Sequence, residues 1–336
     1  MTQQELDKIS RLGRQVDPLI LESLKNGSAR EFVSSLNYHF ESGGKRMRAA
    51  IVIMACGSAG GKVEQAIKPA AVVEMIHNYS LVMDDLIDRG EVRRGQPTVR
   101  VKLGDSVALL VAMLYREVLD DLIQTGPASK AVRRISVRAM KEIIDGERLD
   151  LLLEQAGRVD PYLIKNRKRK PAFGDYLTMI GKKTAALFKA AGEIGGSVAR
   201  ADKSVVKALG TFGWKAGLAF QVMDDVLDIC ASKTGKEQAK DVVEHKLGNA
   251  VVLVAMRFLS LKKRRELAGI LATEKVSKTM RKRAIALVKE TPAERDCREI
   301  AMKYLQDAKD QLSILPGSSY KTGLLKLADE VVARSY

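Results

Sequence analysis

Residues 75–99, MIHNYSLVMDDLIDRGEVRRGQPTV, decide how the whole chain is read. The run starts as an apolar helix and ends in three carboxylates, Asp84, Asp85 and Asp88. Gly90 then breaks the helix, and Arg93 and Arg94 follow. Asp84 and Asp88 are four residues apart, so both project from one helical face. At that spacing they repel each other, and they stand at a C-terminus that already carries partial negative charge. A helix that keeps this conflict is expected to hold cations there. Carboxylate oxygens are hard ligands suited to Mg²⁺, which keeps waters and takes substrate phosphates as further ligands. The two arginines just downstream are anion-binding groups.

One acidic triplet also describes an ordinary solvated helix end. The pattern recurs, however, in FQVMDDVLD at 220–228, with Asp224, Asp225 and Asp228, again at the end of an apolar helical run. Two such clusters facing each other across a cavity would clamp a diphosphate through several Mg²⁺ ions.

The chain has 336 residues, 46% hydrophobic and 29% charged, enough for a large core. Aromatics are 5%, no strand-like alternation of any length is present, and Ala, Leu, Val, Lys and Glu dominate, so an all-α chain is expected. Cys56, Cys230 and Cys297 share no metal-type spacing, and their odd number points to a reducing, cytoplasmic setting. The first ten residues are polar and charged, unlike a secretory signal, and the longest apolar runs, 106–115 and 250–256, are too short for a transmembrane segment. The net charge of +16 suggests anionic partners. Its densest run, KNRKRK at 165–170, has no interleaved aromatics and no nucleic-acid motif, so it reads as a solvated loop and nucleic acid is not expected as a partner. Weak association with a membrane surface is left open.

Helices are expected over 3–25 (bent or restarted at Pro18), 32–40, 63–88, 106–124, 131–155, 176–197 and 203–229, with loops at 158–173 and 231–248 and a helical tail from 251. Between the second and third of these lies GGKRMRAAIVIMACGSAGG, a helix with Lys45, Arg46 and Arg48 at its beginning. Positive charge is disfavoured there by the helix dipole, and a bound anion would remove the conflict. Counting back from Asp84, Ser80, His77, Ile76 and Val73 share its stripe. No linker marks a domain boundary, so 1–336 reads as a single domain.

These motifs resemble those of the trans-isoprenyl diphosphate synthases, the head-to-tail polyprenyl synthetases, in order and spacing over nearly the full length: GGKRMR (43–48), DDLIDRGEVRRGQPT (84–98), KKTAALF (182–188), FQVMDDVLD (220–228) and a GK…D…K loop (235–246). The resemblance is strongest to archaeal-type geranylgeranyl diphosphate synthases. It implies a single all-α bundle of roughly a dozen helices around a central apolar cavity, usually as a homodimer. It also implies Mg²⁺-dependent condensation of isopentenyl diphosphate with an allylic diphosphate. By position, Asp84, Asp85, Asp88 and Asp224 would ligate three Mg²⁺, with Asp225 and Asp228 completing the second cluster. Arg93, Lys183, Gln221, Lys236 and Lys246 would contact the allylic diphosphate. Lys45, Arg48, His77 and Arg94 would hold the diphosphate of isopentenyl diphosphate. Tyr79, five residues before Asp84 and about 7.5 Å along the helix, with Ser80 and Ile76, would set product length at C20, with C15 or C25 as alternatives.

Several positions depart from the family pattern. Ala112 and Met113 replace a Gly-Asp pair, Met83 a His, Glu147 a Gln, Ala49 a Pro, and Ala239 and His245 glycines; the basic 158–173 loop is longer than usual. Two other readings share the motifs. One is a terpene cyclase-like enzyme, which would vary the second aspartate motif and favour an aromatic-lined cavity, where this chain has one Trp and seven Phe. The other is a non-catalytic or regulatory subunit of a two-component synthase, which would lose the aspartates kept here.

Overall fold

The computed structural model describes residues 3–230 and 239–333 and is all-α, as the composition requires. The helices are α1 (Gln3–Gly13), α2 (Asp17–Lys25), α3 (Val33–Glu41), α4 (Met47–Ser58), α5 (Ile67–Ile87), α6 (Val99–Leu103), α7 (Asp105–Gln124), α8 (Ser129–Leu153) and α9 (Pro161–Asn166). They continue with α10 (Phe173–Ile180), α11 (Ala186–Val198), α12 (Lys203–Cys230), α13 (Lys240–Val243), α14 (Ala250–Phe258), α15 (Leu261–Leu271), α16 (Lys278–Lys289), α17 (Ala293–Gln311) and α18 (Ser319–Ala333). Among the described residues the only paired strands are Val92–Arg93 and Gln96–Pro97, a two-stranded antiparallel ribbon.

The differences from the expected boundaries have local causes. The first helix stops at Gly13, passes through one 3₁₀ turn and restarts at Asp17, with Pro18 in the first turn, where its missing N–H is harmless. The 158–173 stretch is not all loop: Pro161 opens the short α9 by the same logic. The stretch expected as one helix over 176–197 is α10 and α11 joined by a π-turn, Gly181–Ala185. Lys45 and Arg46 precede α4 rather than starting it.

The described residues form two compact units. The first comprises 3–140, 187–213 and 311–327. Its core is built on α4, α5 and α7. Ala49 to Cys56 are all buried, as are Ala70 to Ile76, so both helices are apolar around most of their circumference. Each fully buried Val, Ile or Met there contributes roughly 1.5–3 kcal/mol. Tyr115 of α7, fully buried, donates its hydroxyl to the Leu36 carbonyl at 2.5 Å. Ala112 is buried in this core, whereas Met113 is exposed.

The second unit comprises 141–186, the described part of 214–310, and 328–333. Val222, Met223, Val226 and Ile229 of α12 pack with α14 (Ala250 to Ala255) and with Leu267, Leu271, Leu287 and Val288 from α15 and α16. Asn249 starts α14 by accepting from the Val251 and Val252 N–H groups at 2.9 and 3.2 Å, and Ser260 and Ser277 cap α15 and α16 in the same way. Among the described residues no helix is long and apolar enough to cross a membrane.

Candidate active site

In the first unit the site is built at the end of α5. That helix runs to Ile87, and Asp88 is its C-cap, donating its N–H to the Asp84 carbonyl at 2.8 Å. The three aspartates are placed differently. Asp84 and Asp88 are partly exposed, and their carboxylate oxygens lie within 4.8 Å of one another. Asp85 is buried and engaged by Arg93, whose Nε donates to both of its oxygens at 3.0 and 2.9 Å; Arg93 Nη2 lies 2.8 Å from Asp85 and 3.8 Å from Asp84. Asp85 thus fixes the arginine, and Asp84 and Asp88 supply two hard oxygen donors one turn apart. That donor set fits Mg²⁺.

The entry to α4 forms a cationic corner. Gly43 and Gly44 adopt φ of +105° and +130°, which only glycine takes without strain, and Arg46 follows in the left-handed region at φ 49°. Arg46, read from the sequence with Lys45 and Arg48 as a cation that a bound anion would relieve, is instead committed to the protein. It is buried and multiply held: Nε to Asp17 at 2.9 Å, Nη1 to the Gly43 carbonyl at 2.9 Å, Nη2 to the Phe40 carbonyl at 2.8 Å, with Glu74 at 3.7 Å. Its guanidinium also stacks 4.0 Å from the Phe40 ring centre. Arg94, itself at φ 55°, donates to the Gly43 carbonyl. Lys45 is exposed. Arg48, in the first turn of α4, lies over the Phe188 ring at 4.5 Å and within 3.1 Å of His77 Nε2.

Burial, and then the surrounding arginines, hold His77 well below the ordinary histidine range and bring buried His39 down to about 3. Both imidazoles are therefore neutral at pH 7, and His77 Nε2 can accept from Arg48. Burial raises Glu74 against the opposing pull of Arg46, Arg48 and Arg94. This corner collects cations around neutral imidazoles, the electrostatic setting an anion needs.

In the second unit the site lies around the π-turn. Gly146 of α8 lies so close to Lys183 that a methyl group at 146 would stand 2.2 Å from the Lys183 nitrogen. Lys183 Nζ contacts Glu147 at 2.6 Å and Asp150 at 2.7 Å; Lys246 Nζ contacts Asp150 at 3.3 Å and Glu244 at 3.0 Å. Although buried, the Asp150 carboxyl is held far below the usual range by its two lysines. On the helix expected over 131–155, Asp145, Glu147 and Asp150 stand out in the sequence but carry no assigned role there; the i,i+3 spacing of Glu147 and Asp150 on one helical face was the available signal for their pairing with Lys183.

The second acidic cluster divides like the first. Asp224 is exposed. Asp225 is buried and committed: Oδ1 accepts from Gln221 Nε2 at 3.1 Å and Oδ2 from the Ala250 N–H at 2.8 Å. Burial, then Asp241, pushes its carboxyl well above the usual range. Gln221 in turn accepts from Thr184 Oγ1 at 2.7 Å, tying α12 to the π-turn. Asp228 accepts from the Asp241 N–H at 3.2 Å, and its carbonyl accepts from the Ala239 N–H at 2.7 Å, so it anchors the returning loop. Ala239 and His245 adopt φ of 57° and 62°, which accounts for glycine as the family's choice at both positions. Lys236 lies outside the described residues.

Tyr79 and Ser80 are half-buried on α5 above the fully buried Ile76, with Ser80 Oγ donating to the His77 carbonyl at 2.9 Å.

Comparison with known proteins agrees with these motifs. The geranylgeranyl diphosphate synthase of Methanosarcina mazei is 29% identical, with 98% of each chain covered. The geranylfarnesyl diphosphate synthase of Aeropyrum pernix is 33% identical, covering 88% of this chain and 91% of its own. The crystal structure of geranylgeranyl pyrophosphate synthetase from Pyrococcus horikoshii superposes with a TM-score of 0.88 at 30% identity over 99% of both chains. Residues 29–288 match the polyprenyl synthetase family. The chain belongs to that family, the trans-isoprenyl diphosphate synthases, and is a trans-prenyltransferase.

Proposed function

We propose that the protein is a Mg²⁺-dependent synthase that joins isopentenyl diphosphate to an allylic diphosphate, giving an all-trans C20 diphosphate. The observation that carries this reading is the repeated division of labour at the two acidic helix ends. At each, the second aspartate is buried and committed to the protein, Asp85 to Arg93 and Asp225 to Gln221 and the Ala250 N–H, while the first, Asp84 or Asp224, is partly or fully exposed. The two units act as one catalytic domain in this proposal.

Asp84, Asp88 and Asp224 would hold the ions, three per site. When bound, Mg²⁺ supplies neutralisation of the charge that develops on a departing diphosphate. The chain's own groups do the rest. Lys183, Lys246, Lys236, Gln221 and Arg93 bind and orient the allylic diphosphate. Lys45, Arg48, His77 and Arg94 bind that of isopentenyl diphosphate. Ionisation leaves the C–O electron pair on the diphosphate and a cation on the allyl group. The isopentenyl double bond attacks that cation, and the new chain loses a proton to the released diphosphate. No side-chain base is required, and His77 instead accepts a hydrogen bond from Arg48.

Purified chain should convert labelled isopentenyl diphosphate only with Mg²⁺ present. C5, C10 and C15 allylic primers should all lead to C20. Absence of turnover by the chain alone, with turnover restored by a second protein, would replace this reading with that of a partner subunit. The relatives named for C20 and C25 products support C20 with C25 as its neighbour.

Tyr79 is proposed as the floor of the product cavity, about 7.5 Å from Asp84 along α5, with Ser80 and Ile76 beside it. Tyr79→Ala is expected to shift the main product to C25 or longer. An unchanged product on chromatographic sizing removes Tyr79 from that role. A cytoplasmic homodimer is also proposed. The exposed run Leu109, Leu110 and Met113 on α7 supports self-association, and a single-chain mass in sedimentation equilibrium would rule it out.

A further inference from the structure

Lys183 and Lys246, assigned above to the allylic diphosphate, are already engaged by carboxylates of this chain. The charges alternate in a row, Glu147–Lys183–Asp150–Lys246–Glu244, with contacts of 2.6, 2.7, 3.3 and 3.0 Å. Three negative groups flank two positive ones, so the row is net negative before any anion arrives. Asp150 is buried between both lysines, where neutralising it would leave two cations poorly compensated. Glu147 stands at the end of the row, at the position where the family pattern has an amide. A glutamine there would place a neutral amide, which can also accept from an ammonium, beside Lys183 in place of the charge.

We propose that Glu147 is a positioning and selectivity residue: it competes with diphosphate for Lys183, so that the site discriminates against diphosphate carrying no metal. A diphosphate that takes Lys183 must displace the Glu147 carboxylate or share the lysine with it. Without a divalent cation, the multiply charged anion then faces a carboxylate a few ångströms away, and like charges repel. With the cation bound, most of that charge is offset and the displaced carboxylate costs little. The inference rests on the assignment of Lys183 to diphosphate.

The test is calorimetric titration of the full chain with inorganic pyrophosphate, with and without Mg²⁺. The proteins compared are the parent, Glu147→Gln, Glu147→Ala, Glu147→Asp, Lys183→Ala and the Glu147→Gln/Lys183→Ala double variant. Glu147→Gln and Glu147→Ala are expected to bind metal-free pyrophosphate about tenfold more tightly than the parent. Glu147→Asp, which keeps the charge, should bind it as the parent does. The ratio of affinities with and without Mg²⁺ should fall by a similar factor in the two neutral variants. In the Lys183→Ala background, Glu147→Gln should change nothing, an outcome that a purely structural role for Glu147 does not give. Unchanged or weaker metal-free binding in both neutral variants, with binding still lost on Lys183→Ala, overturns the inference alone. Undiminished Mg²⁺-pyrophosphate binding by Lys183→Ala overturns the assignment of Lys183 beneath it.

Discussion

Asp84→Ala is expected to lower turnover by about a thousandfold without destabilising the protein. The loss follows from removing a ligand at the point where charge develops on the leaving group, a setting where single electrostatic contributors are worth about 10²–10³ in rate. The unchanged stability follows from the position of the residue. Asp84 is partly exposed, repels Asp88 at i,i+4 and sits in the negative C-terminal turn of α5. Its removal relieves both conflicts by a few tenths of a kcal/mol, and its contact with Arg93, at 3.8 Å, is looser than that of Asp85. Asp85→Ala should behave differently, since it strips buried Arg93 contacts of 2.8–3.0 Å and so lowers stability along with activity. Steady-state turnover and a thermal melt on both variants check this. Activity within tenfold of the parent, or a melting point several degrees lower for Asp84→Ala, would contradict it.

Gly146→Ala is expected to destabilise the fold by at least about 2 kcal/mol. The added methyl would stand 2.2 Å from the Lys183 nitrogen, 2.6 Å from its Cα and 2.7 Å from the Lys182 carbonyl carbon. All three are backbone atoms, which cannot rotate aside, so α8 and the π-turn must part. Lys183 would then move off Glu147 and Asp150, and diphosphate affinity should fall with stability. Gly269→Ala in α15 is the control, because a methyl there meets nothing within 4 Å. It should stabilise by roughly 0.5–1 kcal/mol through helix propensity alone. Denaturant midpoints compare the two, and equal shifts would show that the close approach at 146 carries no energy.

Much of this molecule could be read from local pattern. The helices followed from composition and periodicity, and the two acidic ends from i,i+4 spacing. The Gly43–Gly44 entry stood out as a helix start, but the left-handed backbone both residues adopt was not read from it. What escaped was set by partners distant in sequence. Nothing near Arg46 announces that Asp17, Phe40 and Gly43 would hold it in the core while Lys45 stays outside. In the same way DDxxD does not distinguish its members. Burial beside Arg93 in one copy, and beneath Gln221 and Ala250 in the other, separates the second aspartate from its neighbours. The break between α10 and α11 was hidden because Gly181–Ala185 has the composition of an ordinary helix.

That π-turn carries a consequence for how related sequences can differ. One extra residue per wide turn sets the angular phase of everything after it, at about 100° per residue on an α-helix. Dropping a residue between 181 and 185 would turn the wide turn into an ordinary α-turn and rotate Lys183 and Thr184 against Asp150 and Gln221. Insertions and deletions should therefore avoid this segment in any relative that keeps the lysine, even where neighbouring loops vary freely in length.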